Sequence, residues 1–158
     1  MNNNGFTLLE LLIAATIVSA LAILATVSYQ GSVSEAKVQA AKVRTEALAG
    51  AVQRFVIDGG NVNNTRQMTD INSTTCTSNY ADNSTLIGCG YVRNGGWSDS
   101  YFYFYLCNGK AGACSASTVD APLACMFSRS DQPKLTGKYK SPYNYCVSAV
   151  TKGEYFGS

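Results

Sequence analysis

From Phe6 to Val27 the chain is apolar at nearly every position, and Glu10 is the one charge in the run. As a helix, these roughly 22 residues rise about 33 Å, enough to cross the hydrocarbon core of a bilayer. The pattern then turns amphipathic. Val33, Ala36, Ala40, Val43, Ala47, Ala51 and Phe55 recur at three- and four-residue steps. A second apolar stripe, Val38, Ala41, Leu48, Val52 and Val56, lies about 100–140° around the helix, and Glu35, Gln39, Lys42, Glu46 and Gln53 occupy the remaining face. Two stripes fit a helix that packs on its own sheet and also on neighbouring helices; a single wide core-facing surface fits the same pattern. No proline precedes Pro122, so one helix is predicted from Phe6 to about Asp58, ended by Gly59 and Gly60.

Residues 61–85 are rich in Asn, Thr, Ser and Asp and read as a surface loop. Strand-like runs follow at Leu86–Arg93, Ser100–Cys107, Leu123–Arg129 and Tyr143–Val150. In Tyr101-Phe-Tyr-Phe-Tyr105 the alternation turns Phe102 and Phe104 to the helix and the tyrosines to the wetter face. Gly88-Cys89-Gly90 and Gly95-Gly96-Trp97 read as turn glycines rather than cofactor loops. The predicted class is α+β, a long N-terminal helix packed on an antiparallel sheet of about four strands.

Composition narrows the chemistry. The chain has 158 residues, a net charge of +2 and no histidine, so the commonest general base and metal ligand is missing. No nucleophile–base pair or phosphate-cradling loop is visible, and the expectation is a protein that is not an enzyme, with no cofactor. Asp120, Asp131 and Glu154 are too scattered for a calcium loop. The six cysteines, Cys76, Cys89, Cys107, Cys114, Cys125 and Cys146, all lie beyond the apolar run. An even count there reads as disulfides in an oxidising compartment, because zinc spacing is absent. Fifteen pairings are possible; proximity favours Cys76–Cys89, Cys107–Cys114 and Cys125–Cys146. Lys134, Lys138, Lys140 and Lys152, interleaved with Tyr139 and Tyr143, are the only basic concentration. They offer a weak case for nucleic-acid phosphate against a plain solvated loop.

Gly5-Phe6-Thr7-Leu8-Leu9-Glu10, followed by Leu11-Leu12-Ile13-Ala14, resembles the processing site and N-terminal helix of type IV pilins and secretion pseudopilins. The resemblance implies that a membrane-embedded prepilin peptidase cuts between Gly5 and Phe6 and N-methylates Phe6. It also implies that Glu10 pairs with the N-terminal ammonium of an adjacent subunit. Physics gives that pairing a reason. A carboxylate inside a membrane helix costs roughly 2.5–3.5 kcal/mol, less near its end, and an ammonium partner recovers part of that. A subunit added out of register leaves both charges bare, so Glu10 selects register.

The implied organisation is a leader at 1–5, a membrane and filament-core segment at 6–28, an amphipathic helix half at 29–58, a variable loop at 59–85 and a sheet-bearing head at 86–158. The Cys125–Cys146 pair would resemble the family's C-terminal disulfide loop. Implied partners are copies of the same chain, the peptidase, an assembly platform with its ATPase and, before assembly, the inner membrane; the assembled location is an extracellular filament. Two departures stand out. The leader carries no Lys or Arg, and Ser19 and Val27 occupy positions where many members have glycine and proline. Thr26-Val27-Ser28 and Gly31-Ser32 are the residues left to soften the helix. A type II secretion pseudopilin, and a minor pilin acting as an adhesin or DNA-uptake module, are the alternative readings.

Overall fold

A computed structural model describes residues 7–62, 65–72, 76, 79–108, 122–131, 135–139, 142–151 and 153–157. Helix α1 (Leu8–Ile57) is unbroken through Ser19, Val27 and Gly31. Thr7 caps its start. Thr16, Ser19, Thr26 and Ser32 turn their hydroxyls back onto carbonyls three or four residues earlier, which supplies these hydroxyls with acceptors inside the helix. At the other end Gly59 takes φ 88°, its N–H reaches Val56 O, and Gly60 N–H reaches Phe55 O at 2.9 Å. These two bonds make a Schellman stop, in which the left-handed residue favours glycine.

Burial divides α1. Its buried residues are Ser34, Val38, Ala41, Thr45, Leu48, Ala49, Ala51, Val52 and Phe55, and none comes before Ser34. Most of the second apolar stripe therefore faces the head. From the first stripe Ala36, Ala40, Val43 and Ala47 stay exposed, while Ala51 and Phe55 turn inward.

The sheet has five strands in the order β1 (Arg66–Met68), β2 (Phe102–Cys107), β3 (Leu123–Ser128), β4 (Asn144–Ser148) and β5 (Glu154–Gly157). Every neighbouring pair is antiparallel. Three expected strands are present in β2, β3 and β4. The expected strand at Leu86–Arg93 is not: helix α2 (Asn83–Gly88) and a turn occupy that stretch. Asp82 decides it, because its carboxylate accepts Thr85 N–H at 2.7 Å and caps the first turn. Leu86 and Ile87 still reach the core, from a helix. The segment expected as loop contains β1, and β5 closes the far edge beyond the last predicted strand.

The sheet's two faces follow the predicted alternation. Phe102, Phe104, Leu106, Ala124, Met126, Tyr145 and Val147 pack with the buried face of α1 in one core. Cys107, Leu123, Cys125 and Cys146 form a second buried cluster, joined by Tyr105 and Phe127. Tyr145 links the layers: it is buried, and its hydroxyl donates to Glu46 on α1 at 3.2 Å. Burial, then the Glu154 and Glu46 carboxylates, push its phenol well above the ordinary range.

Candidate assembly surface

The start of α1 is organised around one carboxylate. Thr7 N–H donates to Glu10 Oε2 at 2.9 Å and Thr7 Oγ1 donates to the same oxygen at 2.7 Å, while Glu10 N–H donates back to Thr7 Oγ1 at 3.3 Å. This reciprocal capping box satisfies helix donors that no carbonyl can reach. Glu10 Oε1 has no hydrogen-bond partner among the described residues. The carboxylate is thus held by its own helix through one oxygen, and the other is left open. Around it Leu8, Leu9, Leu11, Leu12 and Ile13 are exposed, and Ile17, Val18, Leu21, Ile23, Leu24 and Val27 continue the bare apolar surface. That half of α1 is long and apolar enough to cross a membrane. Such a surface needs lipid or other apolar helices as its surroundings.

Residues 1–26 match the prokaryotic N-terminal methylation motif. That motif is the signature of type IV pilins and pseudopilins, and over these residues the chain is similar to them. Motif and apolar helix together fit a membrane-anchored precursor that is later assembled into a surface filament. No curated protein and no solved structure matches the chain.

Of the predicted site residues in the methylation motif, the structure places Glu10; Gly5 and Phe6 lie outside the described residues. Among the cysteines, Cys76 is bonded to Cys89 and Cys125 to Cys146. Cys125 and Cys146 are also direct cross-strand partners of β3 and β4. Cys107 is disulfide-bonded, and Cys114, its expected partner, lies outside the described residues. Among the described residues no three side chains gather as a metal site. Asp131 forms a two-pronged pair with Arg129, at 2.9 and 3.2 Å.

Sequence reasoning missed several groups that shape the head. Thr7 opens a Thr-x-x-Glu capping box, a local signal that coincides with the processing motif. Arg44 on α1 binds Asp99 at 3.1 Å and the Gly96 carbonyl at 3.0 Å, pinning the loop before β2 to the helix. Asp70 ties down the same loop by accepting Trp97 N–H at 3.0 Å and Ser98 N–H at 3.1 Å. Burial alone would raise its carboxyl, but the donors from Trp97, Ser98 and Gly95 bring it below the ordinary range. No local signal marks these pairings, because the partners are far apart in sequence.

Proposed function

We propose that the chain is a type IV pilin subunit, a structural protein that polymerises into an extracellular helical filament after its leader is removed. Cleavage falls between Gly5 and Phe6, and Phe6 becomes the N-methylated first residue. The observation that carries this reading is the pairing of a fully bare apolar helix half with a single, pre-aimed carboxylate. In the membrane, lipid covers the apolar residues. In the filament, neighbouring helices replace lipid, and the free Oε1 of Glu10 receives the ammonium of the adjacent subunit. Lipid is already apolar, so the transfer gains little hydrophobic energy and rests on helix packing and on that ion pair. An outside energy source, the platform ATPase, follows from so small a difference.

The test is mass analysis of filaments sheared from the cell surface. The expected result is that this chain dominates and begins at methylated Phe6. A filament-borne chain that still begins at Met1 overturns the proposal. Processed chain that never leaves the membrane and periplasm supports the secretion pseudopilin instead.

A further inference from the structure

Lys138, the described member of the lysine-rich stretch that the filament reading leaves unused, lies at the root of the head. A 3-10 turn (Gly137–Tyr139) packs beside α1 where the head begins. Thr136 Oγ1 lies 2.9 Å from Ser34 Oγ, and Tyr139 donates to Glu35 at 3.4 Å. Next to this turn Tyr29, Lys37, Tyr101 and Thr136 line an open cleft of about 300 Å³. Lys37 Nζ sits 3.3 Å from the centre of the Tyr101 ring, and Lys138 Nζ lies 5.0 Å from that of Tyr139. Neither lysine has a carboxylate partner among the described residues. Lys134 and Lys140 flank the turn in the sequence.

Height along α1 gives this cluster its meaning. The apolar run ends at Val27, and at about 1.5 Å per residue Tyr29 stands about 3 Å beyond it and Ser34 about 10 Å. A headgroup layer is about 5–8 Å thick on each side of a core of about 30 Å. The rim of the head therefore rests on that layer. Lys37, whose backbone stands about 15 Å beyond the run, reaches back to it because helical side chains lean toward the N-terminus, which puts it in one cleft with Tyr29. Tyrosines and snorkelling lysines at this depth are the side chains an interface selects, since each presents an apolar body and a polar tip.

We propose that this rim, centred on Tyr29, Lys37, Tyr101, Thr136 and Lys138, docks on the anionic phosphate headgroups of the leaflet from which α1 emerges. Docking holds the head against the bilayer until assembly lifts the subunit out. The inference rests on the membrane-anchored precursor of the proposed function and not on filament formation.

The test uses the full-length chain in nanodiscs of phosphatidylcholine, with or without phosphatidylglycerol, read by amide hydrogen exchange over residues 29–37 and 135–139. One lysine at an anionic surface is favoured about fivefold, so the two together slow exchange up to about 25-fold at low salt. The effect fades as salt screens it. Lys37→Gln with Lys138→Gln removes the slowing, and the matching Lys→Arg pair keeps it. Equal exchange in the two bilayers overturns the proposal, as does slowing that survives in the double glutamine variant. Slowing by inorganic phosphate alone also overturns it, as does slowing by short duplex DNA without phosphatidylglycerol. A chain that does not insert at all overturns it together with the anchor. A chain that docks but forms no filament upholds the docking and defeats the filament reading.

Discussion

Glu10 has a local role in the structure, and the proposed function adds an intermolecular one. Its Oε2 accepts both Thr7 donors, so the carboxylate is held at the helix start before any partner arrives. Glu10→Gln preserves an oxygen for Thr7 but removes the charge, whereas Glu10→Val removes both. If charge pairing sets the register, both variants insert and are processed, and both fail to enter filaments. Immunoblots of membrane and sheared fractions check this; normal incorporation of the glutamine variant would show that hydrogen bonding suffices without charge. Asp70 makes a second residue-scale case. Its carboxyl is held below the ordinary range, so the stability it contributes is present above that range and is lost as pH falls through its lowered value. Asp70→Asn should therefore lower the urea midpoint at neutral pH. The gap from the parent should close in strongly acidic buffer. A gap independent of pH would mean that shape rather than charge matters at this position.

Two glycines, one inside α1 and one just past its end, separate what an element needs from what it tolerates. A Cβ at Gly60 would overlap the Phe55 ring, which closes the helix stop. A Cβ at Gly31 would meet nothing within 4 Å. Gly60→Ala is expected to cost about 1–3 kcal/mol as overpacking. Gly31→Ala should add about 1 kcal/mol of helix propensity. Thermal unfolding of both variants decides the matter, and equal effects would place the Schellman stop wrongly. Elements written in local pattern were legible: α1 from its periodicity, its end from Gly59 and Gly60, and β2 from the Phe/Tyr alternation. Elements made by distant partners were not. Leu86 and Ile87 look like strand residues until Asp82 caps the turn before them. β1 and β5 are only three and four residues long, and they exist because β2 and β4 offer edges to pair with. The candidate site divides the same way. Glu10 announces itself as a charge among apolar neighbours, while the Arg44–Asp99 link joins residues that nothing in the sequence relates.

At the scale of the whole molecule, two solvents meet in one chain. Everything that packs the head begins at Ser34, and the residues from Leu8 to Ser32 contribute no buried side chain. Stability of the head and insolubility of the anchor are therefore separable properties. Removing residues 1–28 takes away the exposed leucines, isoleucines and valines but none of the core, neither described disulfide and no strand. The remaining chain is expected to be a soluble monomer, with the thermal midpoint of the detergent-held full-length protein to within a few degrees. Contacts unique to an intact membrane helix are missing from the head, so nothing in its packing is lost with them. Sedimentation and circular dichroism of the two chains check both halves of that expectation. A truncated chain that unfolds would mean that α1 below Ser34 stiffens the head through the continuity of the helix. A truncated chain that self-associates would move the main assembly contact into the head, onto the face where Ala36, Ala40, Val43 and Ala47 remain exposed.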